Sequence, residues 1–265
     1  MNTFKWLLKR EYWENRGGFF WAPIVVGGIA VLFSVIATVA GAILANNHRE
    51  EVSQLASPAE AADHAAQLGG VGDAILTGGV GISLSVMAFV LFFYALGSLY
   101  DDRRDRSILF WKSLPLSDTQ TVLSKVLSAI VIAPLIAVAA SVLTMLCFLG
   151  VISIVALTHG GDPMSLIWGP SSPLLLAAGH LSWIPVFALW SLPTVGWLLL
   201  CSSWAKSKPF LWAVMLPLFA GVIVSTTKIM PLFGLTTGWF WQNIVGRLLL
   251  GGVPGMDLLY RLGAG

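Results

Sequence analysis

Six charges of mixed sign, Asp101, Asp102, Arg103, Arg104, Asp105 and Arg106, stand one serine ahead of the apolar run Ile108-Leu109-Phe110-Trp111. Carboxylates and guanidiniums beside bare aromatic and aliphatic side chains suit non-covalent docking. The apolar groups would anchor a partner, and the arginines would make contacts at its rim. Ile108 and Trp111 are three apart, and Phe110 and Leu114 four apart, so a short helix presents them as adjacent rows. Pro115 ends that helix. Ser117 with Gln120 three residues on reads as a capping box that opens the next helix. Two readings stay open from these residues alone. The segment docks a partner, or it folds back onto the protein's own helices and the lipid headgroups.

Other chemistry is thinly represented. His48, His64, His159 and His180 match no metal-ligand spacing, so they read as scattered surface histidines and no metal site is expected. Cys147 and Cys201 lie inside apolar runs without CxxC spacing, which suits two small core residues. No ionisable residue falls clearly in mid-span; Asp73 and His180 come near span ends. That argues against a proton-coupled transporter or an intramembrane protease. Ser141 and Thr144 are expected to bond the preceding turn of their own helix. No GxxxxGK[ST] phosphate loop is present, so the chain is not expected to be an enzyme, and any ATP hydrolysis belongs to another chain.

The elements that position the charged run are apolar helices. The 265 residues are 57% hydrophobic and 11% charged, with a mean hydropathy of +0.82. Soluble domains carry about 25% charged residues. Several apolar runs exceed the ~18 residues that separate a span from a core helix. The reading is an all-α integral membrane protein, a polytopic helical bundle with five spans at 19–45, 74–99, 121–157, 174–202 and 210–227. The apolar run from Phe19 is too long for a signal-peptide core, and Glu11 and Glu14 stand in the leader, so it is retained as a span. Span three is long enough to begin outside the bilayer; Pro134 and Gly150 interrupt it. The Ala-rich stretch Pro58–Leu68 suits a short helix.

Residues 3–16 place Phe4, Leu7, Leu8 and Tyr12 on one helical face, with Lys5, Lys9, Arg10 and Arg16 for headgroups. This predicts an amphipathic surface helix. Trp6 and Trp13 anchor it at the membrane interface. Trp183, Trp190, Trp197 and Trp204 recur every seven residues along span four. The outer two, Trp183 and Trp204, are about 31 Å apart on a helix, which suits the two aromatic belts. Trp190 and Trp197 then face lipid or a neighbouring helix. The 229–265 segment, broken by Gly, Pro and Arg247, reads as interfacial or re-entrant.

Lys and Arg are unevenly shared between alternate segments. One side holds those of residues 3–16 with Arg103, Arg104, Arg106, Lys112, Lys125, Lys206 and Lys208; the other holds only Arg49, Lys228, Arg247 and Arg261. The N-terminus and the 100–120 loop are therefore expected in the cytoplasm.

The loop also resembles that of the ATP-binding-cassette type-2 permease family, whose pattern runs roughly E-R-x-x-G-T-L-E-x-L-x-x-x-P-x-S with G-K beyond. Here Asp102-Arg103 takes the place of Glu-Arg and Ser107-Ile108 that of Thr-Leu, while Pro115, Ser117 and Lys125 fall on their counterparts. Arg106, Leu109 and Trp111 depart from the pattern. Leu109 removes a glutamate that would otherwise pair with the ATPase.

The resemblance implies the permease subunit of an exporter in the bacterial inner membrane. Asp102 to Trp111, including Asp105, Phe110 and Trp111, would then be a coupling helix seated on a separate ATPase subunit. ATP and magnesium would belong to that ATPase, and this chain would carry no cofactor. A second permease copy and membrane lipid are the other expected partners; nucleic acid is not. The family usually has six spans and a cytoplasmic C-terminus, so either a last span is missing here, which is the favoured expectation, or the protein has five spans, or 121–157 holds two short ones. A hydrophobic or amphipathic cargo is the expectation for substrate. The alternative function is a membrane scaffold whose loop docks a partner that is not an ATPase.

Overall fold

The computed structural model describes residues 3–47, 58–106, 117–158, 162–164, 168, 173–227 and 229–253. All regular structure among them is helical. In chain order these are α1 (Thr3–Glu14), a π turn (Gly17–Trp21), α2 (Ala22–Asn47), α3 (Pro58–Arg104) and α4 (Asp118–Leu127). A second π turn (Ser128–Ile132) leads into α5 (Ala133–Thr158), followed by α6 (Pro173–Trp204) and α7 (Pro209–Thr227). A short 3-10 turn (Met230–Phe233), α8 (Thr237–Phe240), a third π turn (Trp241–Gly246) and α9 (Arg247–Leu250) close the described chain.

Among the described residues, five stretches are long and apolar enough to cross a bilayer: Gly17–Ala37, Gly81–Arg104, Asp118–Thr158, Pro173–Trp204 and Pro209–Thr227. The polytopic five-span bundle read from the sequence is thus present. Large apolar side chains such as Leu32, Phe33, Phe89, Leu189 and Phe219 point outward, as they must in a helix whose solvent is lipid.

Three local expectations change. The Ala-rich stretch is no separate helix; it runs without a break into span two within the 47-residue α3. Gly150 does not interrupt span three, because a single glycine in a lipid-embedded helix costs too little to break the hydrogen-bond ladder. Pro134 does perturb it. Proline offers no N–H to the carbonyl four residues back. The helix responds one turn earlier, where the Ala133 N–H reaches back five residues to the Ser128 carbonyl. Finally, Cys201 is buried as expected, but Cys147 is exposed on the outer face of α5.

The described chain forms two compact units: residues 1–19, 85–136 and 183–265, and residues 20–84 and 137–182. In the second unit, Gly27 of α2 meets the Thr144 side chain of α5, where a Cβ would clash. Thr144 turns its hydroxyl onto the Ala140 carbonyl of its own helix at 2.9 Å, and Ser141 onto Val138 at 2.8 Å, as predicted. Met145, Phe148 and Leu149 make a small core there, closed by Trp168. Trp168 donates its indole N–H to the Ser153 hydroxyl at 3.0 Å.

In the first unit the chain reverses at Gly234, which takes the left-handed backbone (φ 68°) that a Cβ disfavours. Thr236 then caps α8 by accepting from the Trp239 N–H at 3.1 Å. The 237–250 segment returns alongside α7. Trp241 lies against Gly221 and donates to the Ser225 hydroxyl at 2.8 Å. Trp197 of α6 donates to the Ala213 carbonyl of α7 at 2.9 Å, and Trp204 packs edge-on against Trp212 with ring centres 5.2 Å apart. Of the outer pair of tryptophans, Trp204 is exposed and Trp183 half-buried against Phe187.

Candidate functional site

The charged run begins inside α3. Asp105 and Arg106 still bond back to the Asp101 and Arg103 carbonyls at 2.9 and 3.3 Å. Arg106 then adopts a left-handed backbone with φ 57°, unusual for a residue with a Cβ, and the helix stops. The far root of the loop is Ser117. Its backbone is extended (φ −82°, ψ 146°), and its hydroxyl accepts from the Gln120 N–H at 3.2 Å. The predicted N-cap is therefore in place. Ser107, Ile108, Phe110, Trp111 and Pro115 lie outside the described residues.

Both roots are tied into the helices. Lys125, about two turns into α4, is almost fully buried, with its ammonium 3.1 Å from Asp102 Oδ2. The same ammonium lies 3.0 Å from Glu11 Oε1 of α1. Glu11 is 1% exposed. Its second oxygen accepts from the Tyr94 hydroxyl at 2.8 Å. Arg10 adds a contact of 3.5 Å to Asp102 and donates to Glu14 at 2.7 Å. Phe19 covers the cluster edge-on to Tyr94, ring centres 4.8 Å apart. Two carboxylates thus share one buried ammonium, and a phenol fills the remaining acceptor position. Buried charges persist only when paired and hydrogen-bonded in this way.

The sequence placed Asp102 and Arg103 among the docking residues. The structure turns both inward. Arg103 Nη2 donates to the Ser202 and Ala205 carbonyls at 2.6 and 2.9 Å. These carbonyls close the end of α6, where a cation is favoured by the helix dipole. The Ser202 hydroxyl in turn accepts from the Leu99 and Tyr100 N–H groups at 3.1 and 2.9 Å. Arg104, Asp105 and Arg106 stay exposed; Arg104 lies 3.2 Å from Asp105 and 3.9 Å from Asp101.

Glu11 and Tyr94 are site residues that the sequence reading does not contain. In the sequence Glu11 stands only as a charge in the leader. Yet it falls four residues after Leu7, on the same face as Phe4 and Leu7. An acid at the centre of an apolar face is the signal that a cation must meet it. Trp6 and Trp13, on the opposite side of α1, are exposed as interface anchors would be.

One more ionisable group departs from the sequence reading. Arg247 lies in no apolar run, but its guanidinium sits over the Trp190 ring, 4.5 Å from its centre, halfway along α6. Thr194 donates to the Arg247 carbonyl at 2.5 Å. An arginine therefore stands beside the middle of a span, held by an aromatic face.

No protein-family model, no curated protein and no solved structure matches this chain. What the sequence and the fold establish together is a multi-span helical membrane protein of a kind that suits a transmembrane transport subunit.

Proposed function

We propose that the chain is the transmembrane subunit of an ATP-driven exporter of the ATP-binding-cassette type-2 permease class. It would line the substrate path, and its 100–120 loop would couple it to a separate ATPase subunit by alternating access. The observation that carries this reading is the double ion pair at Lys125. Its ammonium joins Asp102, at the near root of the loop, to Glu11 of α1. A loop that passes on a partner's displacement must be held stiffly at both ends; loose roots would absorb the motion. Here one root is fixed by Asp102 and Arg103, and the other continues into the α4 helix that carries Lys125.

Under this reading Ile108, Phe110 and Trp111 are the anchors, and Arg104 and Arg106 the rim. ATP and magnesium belong to the partner. Two permease copies enclose the path, the membrane is the bacterial inner membrane, and the N-terminus is cytoplasmic. The test is co-expression with an ATPase encoded in a neighbouring reading frame, purifying through a tag on this chain. Co-purification that Trp111→Asp abolishes supports the coupling role. A well-folded chain that purifies without the ATPase overturns it in favour of a scaffold for another partner.

A further inference from the structure

One face of α3 changes character steadily along its length. Val86, Phe89, Val90 and Phe93 come first, then Gly97 and Ser98, then Asp101 and Asp105, all at the three- and four-residue spacing of a single helical stripe. This stripe is one wall of an open cavity of about 760 Å³ whose other wall is α1 and the first π turn. That volume falls within the roughly 300–1,000 Å³ of small-molecule sites. Phe89 and Phe93 are 69% and 60% exposed at the apolar end.

The two walls meet closely at the middle. A Cβ on Gly18 would lie 2.8 Å from Val90, and the Asp101 carboxylate folds back into the groove so that a Cβ on Gly97 would lie 2.8 Å from it. From Phe89 to Asp101 is about 18 Å along the helix, a little more than half the ~30 Å hydrocarbon thickness. From Phe89 to the first exposed carboxylate the stripe therefore spans about one leaflet, apolar at one end and charged at the other.

The sign of that charge is negative. Glu11, Glu14, Asp101, Asp102 and Asp105 line the groove against Arg10 and Lys125 alone. Glu11 and Asp102 are engaged by the buried lysine. Glu14, Asp101 and Asp105 are at least half exposed; Arg104 meets the two aspartates in surface pairs, and the half-buried Arg10 meets Glu14 at 2.7 Å. Exposed pairs like those of Arg104 contribute about 0–1 kcal/mol, so an incoming cation can displace them at Asp101 and Asp105. A phosphate or sulfate headgroup would meet more carboxylates than donors.

We propose that this groove is a binding site for a cationic amphiphile of the adjoining leaflet. Its ammonium head is held by Glu14, Asp101 and Asp105, and its alkyl chain lies on Phe89 and Phe93. The site is read on the chain alone and does not rest on the presence of an ATPase.

The test is native mass spectrometry of the purified chain in dodecyl maltoside, titrated with dodecylamine in its ammonium form, with dodecyl sulfate as the charge-reversed comparator. Dodecylammonium should bind at least tenfold more tightly than dodecyl sulfate. Asp101→Asn with Asp105→Asn should cut that affinity about tenfold, and so should Phe89→Ala with Phe93→Ala. Thermal unfolding of each variant within a few degrees of the parent shows that the fold is kept. Equal binding of the two amphiphiles overturns the proposal. So does unchanged dodecylammonium affinity in a folded Asp101→Asn, Asp105→Asn variant.

Discussion

The Lys125 ammonium lies 3.0 Å from the Glu11 carboxylate, 114 residues away in sequence, and both side chains are 2% exposed. The pair binds the first helix of the chain to the first turns of span three. With Asp102 at 3.1 Å from the same nitrogen, it also fixes the end of span two. Three elements meet at one charge.

Removing that charge should be costly. Lys125→Met leaves Glu11 and Asp102 facing each other across a buried site, and breaking a buried pair costs about 3–5 kcal/mol. Thermal unfolding of the detergent-solubilised protein should show a clear loss. Adding Glu11→Gln should recover a measurable part of it, because one of the stranded carboxylates is gone. A double variant no more stable than Lys125→Met would mean that Glu11 contributes nothing through its charge.

Arg103 separates a structural role from a docking role. Its guanidinium closes two carbonyls at the end of α6, and hydrogen bonds to a charged group contribute about 1.5–3 kcal/mol. Arg103→Ala should lower stability by that order in the isolated chain, with no partner present. If stability is unchanged and only partner binding falls, the residue acts at the rim of the docking surface instead.

Trp111 tests the loop without touching the roots. Under the proposed function, Trp111→Asp places a charge among the proposed apolar anchors, so stimulation of a partner ATPase by this chain should disappear while membrane insertion and yield stay at parental levels. ATPase assays on the reconstituted complex read this directly, and normal stimulation would remove the docking role.

Close packing of the returning segment rests on Gly221. A Cβ there would lie 2.7 Å from the Trp241 ring, and overpacking typically costs about 1–3 kcal/mol. Gly221→Val should therefore destabilise the protein and release the Trp241 bond to Ser225. In a Trp241→Ala background the same substitution should cost much less. Thermal unfolding of the four proteins closes this cycle, and additive effects would show that the two residues do not press on each other.

Arg247 should behave as a stacked guanidinium and not only as a positive charge. Arg247→Lys keeps the charge but loses the planar face, so it should forfeit most of the roughly 0.5–2 kcal/mol of a desolvated cation–π contact. Coupling to Trp190→Leu in thermal unfolding measures it; zero coupling would mean that the ring and the guanidinium are merely neighbours.

Sequence alone determined the class of molecule, because bilayer thickness sets a length that an apolar run either reaches or does not. The five spans, the Ser117 cap and the in-helix hydroxyl bonds of Ser141 and Thr144 are local matters of composition and spacing, and each is found where those rules put it. Partner choice is different in kind. Glu11 was legible only as a leader charge, Arg103 only as part of a charged run, and Arg247 only as a break in an apolar tail. Whether a charge faces water, a helix end or an aromatic ring depends on which segment folding brings beside it. That is a property of chain reversal over tens to more than a hundred residues, which no local pattern contains. Tertiary structure therefore decided that Asp102 and Arg103 turn inward, that Lys125 unites three elements, and that Arg247 stands at the middle of a span.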